Sequence, residues 1–387
     1  MEKDSVGDTL SVSGGSWMKI LVTGGAGFIG SHLVDELVKR GHDVVVYDAF
    51  VEQVHEGKKP DYLNPGARYV EGDVRDRKSL KEVVKGAEIV FHEAAAVGVG
   101  QSMYQVAEYV DANTRGTATL LDILVNEKTK VRKMIVASSM SIYGEGRYLC
   151  KECGKVSPSS RAEKELEKGN WNVSCPSCGR KTETLPTDET KPLESTSLYA
   201  MTKRHQEEMT ILLGKTYQLP TVALRYFNVF GPRQALSNPY TGVCAIFSSR
   251  IKNGKPPLLY EDGLQSRDFV HVEDIVQANL LVMEKKEADY RVFNVGIGKG
   301  VSIREIANTL IRLYEKDLSP QVVGKYRSGD IRHCYADISR LSALGYRPRR
   351  TLAGGLKDLV EWGKTQKAQD RTAQADRELV KRGLRQA

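Results

Sequence analysis

From residue 19 onward, short runs of aliphatic and β-branched residues alternate with helix-length polar or amphipathic stretches. The runs at 19–23 (KILVT), 44–47 (VVVY), 67–71, 89–92 and 134–137 show little of the two-residue alternation of a half-exposed strand. Near-continuous apolar strands belong to sheets covered on both faces. Their regular alternation with helices is the pattern of parallel strands joined by crossovers. The chain is therefore predicted to be α/β, a doubly wound parallel sheet over 18–146 continued by 187–230. Segments 104–126 and 197–219 read as two long helices. Past residue 230 the spacing loosens around Gly231, Pro239 and Pro256, so 231–362 reads as a smaller region that also returns late strands to the sheet. Residues 147–186 break the pattern. Polar, lysine-rich and carrying two C-x-x-C pairs, they read as an insertion.

Composition excludes classes more than it adds to this picture. Of 387 residues, 40% are hydrophobic and 27% charged, the balance of a globular chain with a sizeable core. No apolar run reaches the ~18 residues of a membrane span. Residues 1–17 are polar and lack the apolar centre of a secretory signal. They read as a disordered leader, with Met18 an alternative start, and the expected location is the cytoplasm. The formal charge is +8, and half of it falls in 363–387, where seven basic residues meet three acidic ones. This basic tail reads as a solvated, exposed helix, which makes nucleic acid an unlikely partner rather than an implied one.

Chemistry enters where the first strand ends. Thr23 is followed by GGAGFIG (24–30), which opens the first helix. Gly24 permits the tight turn, Gly27 lets backbone approach a pyrophosphate, and Gly30 lets helix pack on strand. The amides at Phe28 and Ile29 then face the phosphates. Asp48 ends the second strand, where a carboxylate accepts both adenosine-ribose hydroxyls and repels a 2′-phosphate. No Lys or Arg follows in 49–52, which favours NAD over NADP. Asp73 and Val74, after the third strand, would flank the adenine. These features make the expected sheet a Rossmann fold. Further on, Tyr199 and Lys203 stand four apart on one helix face. An ammonium near a phenol lowers its pKa, so that tyrosinate can act as a base.

Together with the glycine turn, YAMTK (199–203) resembles the extended short-chain dehydrogenase/reductase family, and within it the NAD-dependent nucleotide-sugar epimerases and dehydratases. The resemblance runs from Met18 to Trp362 outside the insertion. Its further segments are GDVRD (72–76), HEAAAVGVGQS (92–102), SSMSIYG (138–144), LRYFNVFGPRQ (224–234), SRDFVHVED (266–274) and RSGD (327–330). It implies Ser139, Tyr199 and Lys203 as the catalytic group. Tyr199 would take the sugar hydroxyl proton, Lys203 would hold the nicotinamide ribose, and Ser139 would hydrogen-bond the reacting hydroxyl. It implies a cofactor pocket lined also by Ala94, Ala95, Asn113 and Tyr226. For a nucleoside-diphosphate sugar it implies contacts from Ser141, Asn228, Arg267, Arg327 and Asp330, the arginines suiting a diphosphate by their paired donors. A homodimer through the helices of 104–126 and 197–219 is implied as well.

One segment sets the expected reaction. Dehydratases similar to this chain carry Asp-Glu or Ser-Glu just after the serine or threonine, and related decarboxylases keep the glutamate. Here Met140 and Ser141 stand in that place, and neither is a general acid. The acidic Thr187-Asp188-Glu189 lies beyond the insertion and reads as a decoy. The resemblance then implies 4-epimerisation: hydride leaves C4 to NAD, the 4-keto sugar turns in the pocket, and hydride returns to the other face. The loop 97–104 (VGVGQSMY) has Val97 where UDP-galactose 4-epimerases carry lysine. Small and apolar, it is similar to that of the dTDP-L-rhamnose 4-epimerase subgroup, whose 6-deoxy sugar carries a methyl group. UDP-glucose and UDP-N-acetylglucosamine are the competing substrates. A 4-dehydrogenase/reductase is the competing reaction. From a different class comes a non-catalytic NAD-sensing protein whose insertion binds a macromolecule, and the retained Ser139, Tyr199 and Lys203 argue against it.

Cys150-x-x-Cys153-Gly and Cys175-x-x-Cys178-Gly each suit a turn in which amides point at thiolates and glycine takes positive φ. Four thiolates in two such turns predict a closed, structural zinc site of zinc-ribbon type. Disulfides do not suit a reducing compartment. Because the insertion falls between Ser139 and Tyr199, its root must lie close to the site. It would shape or cover the sugar pocket, or extend a subunit contact.

Overall fold

The computed structural model describes residues 17–384 apart from Ser328, so all but the last residue of the leader expected at 1–17 lies outside the described residues. Seven parallel strands form one sheet: β1 (Lys19–Thr23), β2 (Asp43–Asp48), β3 (Arg68–Glu71), β4 (Ile89–His92), β5 (Lys133–Ser139), β6 (Thr221–Tyr226) and β7 (Arg291–Val295). Their order is β3-β2-β1-β4-β5-β6-β7. The near-continuous apolar runs have a plain cause. Ile20 and Val22 of β1 pack on Leu33, Val34 and Leu37 on one face, while Leu21 packs with Leu80, Leu120 and Leu121 on the other. The chain direction across the sheet switches between β1 and β4, and ligands of such sheets bind in the crevice beyond the carboxyl ends at that switch.

Two expectations need adjustment. Segment 104–126 holds one continuous helix, 106–126, but it is not uniformly α-helical. Val106–Tyr109 is α-helical, Val110–Arg115 widens into a π-helix, and Gly116–Asn126 is α-helical again. The wide turn carries Asn113 inward to full burial, the kind of redirection for which π turns recur at functional sites. A sequence periodicity averaged over the segment does not reveal it. The basic tail is not a solvated helix either. Thr372–Lys381 is helical, and Ala375 and Leu379, four apart, bury a small apolar stripe. Asp370 pairs with Arg250 and Lys255, Asp376 accepts from the Tyr260 hydroxyl at 3.0 Å, and Arg382 lies 4.4 Å from the Tyr104 ring centre. Two of its three acids, outnumbered in a charge count, are among the groups that dock it.

Residues 147–186 form a three-stranded antiparallel sheet, Gly154–Val156, Arg147–Cys150 and Glu183–Leu185, around Tyr148, Cys150, Val156, Val173 and Cys175. The C-terminal region has its own core, including Phe230, Phe247, Phe269, Leu310 and Leu359. Among the described residues no helix is long and apolar enough to cross a membrane.

Candidate active site

At the end of β1 the chain turns through Gly24 at φ +71°. A Cβ there would lie 2.6 Å from the Ala94 nitrogen, and one at Gly30 would lie 2.3 Å from the Gly24 oxygen. Both positions therefore exclude side chains. Helix Phe28–Lys39 opens on Gly27 without a side-chain cap, and the first bond back to that residue comes from Ser31 at 3.0 Å. The amides of Phe28, Ile29 and Gly30 thus lack intrahelical acceptors and point out of the helix start. Asp48 is held at the end of β2, its two oxygens accepting from Ala26 N at 3.0 Å and Phe50 N at 2.9 Å. Each carboxylate oxygen keeps a further lone pair. Uncapped amides beside an oriented carboxylate are a donor and acceptor set that fits the pyrophosphate and ribose of NAD.

The remaining cofactor candidates have protein partners of their own. The Asp73 carboxylate takes both the backbone and the guanidinium of Arg75, which holds it below the usual carboxylate range. Val74 packs on Gly116. Asn113 accepts from Ala96 N at 2.7 Å and donates to Ala96 O and Thr202 Oγ1, both at 3.0 Å. It lashes the loop carrying Ala94 and Ala95 to the helix that bears Lys203.

Ser139 ends β5, and its hydroxyl receives the Ser141 amide at 3.2 Å and the Ser141 hydroxyl at 2.9 Å. Helix Leu198–Thr216 starts where Ser197 caps Ala200 N, and Ser102 Oγ accepts from Tyr199 N at 2.9 Å. Burial raises the Tyr199 phenol to about 12, opposed by a hydrogen bond with Ser139. Ser139 and Tyr199 are thus brought together. The expected lowering of the phenol does not appear, because desolvation dominates at this site. Lys203, one turn on, is buried and lowered, with Glu93 and Glu207 opposing the shift.

Glu93 is the site residue that sequence reasoning missed. It accepts from the Tyr226 hydroxyl at 2.8 Å, which in turn receives Asn279 Nδ2 at 2.7 Å. Burial raises its carboxyl, and the Tyr226 bond and the Lys203 ammonium pull it down. A glutamate directly after the fully buried β4 was the available signal.

Of the residues expected to meet a substrate, Asn228 has a buried Oδ1 without a hydrogen-bond partner among the described residues. Arg267 donates to the carbonyls of Ser266, Arg332 and Ile331 at 2.9, 3.1 and 2.6 Å. Arg327 stacks 4.1 Å from the Tyr260 ring centre and lies 3.8 Å from Asp376. A turn bonds Asp330 N to Arg327 O at 3.2 Å. The decoy acids are anchors: Asp188 pairs with Arg147 at 3.2 Å, and Glu189 accepts from Asn294 N at 2.9 Å and pairs with Arg340 at 3.5 Å.

In the insertion, the Sγ atoms of Cys150, Cys153, Cys175 and Cys178 all lie within 4.8 Å of one another, and Gly154 and Gly179 take φ +74° and +71°. Thiolates ~2.3 Å from a central zinc would stand ~3.8 Å apart, so the cluster has suitable dimensions.

The sequence matches the NAD dependent epimerase/dehydratase family over residues 20–163 and 171–296. It is 34% identical over 352 residues to the dTDP-L-rhamnose 4-epimerase of Burkholderia thailandensis, covering 89% of this chain and 94% of that one. The UDP-glucose 4-epimerase of Thermotoga maritima, solved with UDP-glucose, is similar at a TM-score of 0.74 and 32% identity, over 90% of this chain and 99% of that one. The UDP-glucuronic acid 4-epimerase of Bacillus cereus, solved with UDP-glucuronic acid and NAD, gives a TM-score of 0.74 at 28% identity with the same coverage. The chain belongs to the NAD-dependent epimerase/dehydratase family. Within it, the likeness is to the nucleotide-sugar 4-epimerases, which are isomerases of Rossmann fold.

Proposed function

We propose that the chain is an NAD-dependent 4-epimerase of a nucleoside-diphosphate 6-deoxy sugar, with dTDP-L-rhamnose the first candidate. The observation that carries the reaction type is the pair after Ser139. Met140 is buried, and Ser141 spends its hydroxyl on Ser139, so neither supplies a carboxyl to expel water. When bound, NAD accepts and returns the C4 hydride. Tyr199 takes the proton of the C4 hydroxyl as the carbonyl forms and gives it back as the carbonyl is reduced. Ser139 orients that hydroxyl, and Lys203 keeps positive charge beside the pair. Asn228, Arg267 and Arg327 would meet the diphosphate, and Asp330 the nucleoside ribose.

Val97 and Val99, 53% and 47% exposed, support a pocket suited to a methyl group. Met103, Val106, Val110 and Met201, in or beside the two helices of the expected subunit contact, are exposed apolar side chains, which supports a homodimer. The four-thiol cluster supports a structural zinc held by Cys150, Cys153, Cys175 and Cys178, in a protein of the cytoplasm.

The test is NMR of products after separate incubations with dTDP-L-rhamnose, UDP-glucose and UDP-N-acetylglucosamine. The expected outcome is the C4 epimer of dTDP-L-rhamnose without net NADH. Stoichiometric NADH would make the chain a dehydrogenase. No product in any tube, with NAD bound, would favour the non-catalytic sensor.

A further inference from the structure

The insertion reaches the segment that carries Arg327 and Asp330. Arg161, between the two cysteine pairs, has a side chain only 5% exposed. Its Nη2 donates to Glu261 Oε1 at 2.7 Å and to the carbonyl of Asp330 at 2.9 Å, while Nη1 holds the carbonyl of Trp171 at 3.0 Å. The Trp171 ring lies 6.4 Å from that of Tyr326, whose hydroxyl is 3.4 Å from Glu163. Glu261, 1% exposed, gives its other oxygen to Arg332 at 2.9 Å, and Arg332 also grips Asp262 through two bonds of 2.6 and 2.7 Å.

The backbone beside Asp330 is held just as closely. The carbonyl of Asp330 ends on Arg161, and those of Ile331 and Arg332 end on Arg267. Glu145, at the root of the insertion, takes the amides of Arg332 and His333, each at 2.8 Å. Burying guanidinium and carboxylate groups is costly, and a network of this kind fixes geometry more than it adds stability. Apolar contact would have docked the insertion with less desolvation. What the charged lattice adds is a defined position for each peptide group from 330 to 333.

We infer that Arg161 is a positioning residue, through which the cysteine insertion holds Asp330 and Arg327 in place for the nucleotide of the substrate. The inference rests on the reading of those two residues as nucleotide contacts. It makes the insertion a determinant of substrate affinity, with the chemistry at Tyr199 left to the sheet and its helix. The four-thiol cluster then acts at a distance, by keeping the turn that presents Arg161.

Arg161→Met keeps the aliphatic stem and leaves Glu261 paired with Arg332, so the fold is retained; Arg161→Lys keeps the charge but loses the two-pronged donor. Calorimetric titration of the NAD-loaded enzyme with dTDP and with UDP reads affinity, and steady-state kinetics separate KM from kcat. Arg161→Met is expected to bind the nucleotide about tenfold more weakly, and to raise KM by a similar factor at nearly unchanged kcat, since a small misplacement of binding groups is enough for that. Arg161→Lys should recover part of the loss, with NAD and metal content unchanged in both. Wild-type affinity in Arg161→Met overturns the inference, as does a fall in kcat at constant KM. Arg327→Ala is the control. If it weakens binding while Arg161→Met does not, only the role of Arg161 falls. If it too binds like wild type, the nucleotide contacts lie elsewhere and the underlying reading falls with it.

Discussion

The two sides of the crevice are built from different physics. On the cofactor side, the glycine turn and the start of helix Phe28–Lys39 rest on β1, whose Ile20, Leu21 and Val22 are fully buried in aliphatic packing on both faces. On the side proposed for the substrate, Asp330 and the backbone after it rest on a lattice made by Glu145, Arg161, Glu261, Arg267 and Arg332. Apolar burial is strong and non-directional. Buried ion pairs are directional, and breaking one leaves an uncompensated charge. The glycine turn is thus held by bulk packing, whereas the segment proposed to meet the substrate is held by directional bonds.

Loss of chemistry without loss of either side is the largest effect expected. Tyr199→Phe should lower kcat by about 10²–10⁴ while leaving bound NAD and the urea midpoint as in wild type; a smaller loss would remove the phenol from the proton path. Next, the two sides can be weakened separately. Glu261→Ala leaves Arg161 without a carboxylate and Arg332 with Asp262 alone, and should cost ~3–5 kcal/mol in urea unfolding, with nucleotide affinity lost before NAD. Leu21→Ala should cost a comparable ~2–5 kcal/mol but release NAD first. The same order of ligand loss in both variants would erase the distinction between the two sides. Metal removal comes third: a chelator, or Cys175→Ser, should weaken nucleotide binding and leave NAD occupancy intact.

The smallest effect is on pH. Burial lowers His92, which bridges Thr23 and Thr117 on the cofactor side, from 6.5 to about 3. Beside Asp330 and Arg332, burial likewise lowers His333, helped by the charges of Arg332, Arg267 and Arg161, to about 3. Each folded pKa lies below the unfolded value, so below pH 6.5 the unfolded chain binds protons that the native state does not. Stability is fully present above pH 6.5 and falls as pH drops toward about 3. The urea midpoint should therefore decline from pH 7 to pH 5, and less steeply in His92→Gln, where one titrating group is gone.

Legibility followed the same divide. The strands, the glycine turn, the Ser139 position and the Tyr199 and Lys203 pair were readable, because each depends on residues within a few positions of one another. Glu93 was passed over because its importance lies in Tyr226, 133 positions away. The π turn that buries Asn113 was hidden inside a helical periodicity. The tail was misread because a charge count weighs seven bases against three acids, while docking depended on where Asp370 and Asp376 fall relative to Arg250, Lys255 and Tyr260.

By itself the sequence determined a parallel sheet, a dinucleotide turn, a tyrosine and lysine on one helix face and four thiols in two matched turns. These are local patterns, and local patterns carry their own geometry. Only the tertiary structure decided that an arginine of the cysteine insertion closes on the carbonyl of Asp330, 169 positions later. It alone decided that burial governs the Tyr199 phenol, because desolvation and long-range hydrogen bonds arise when distant segments exclude water together.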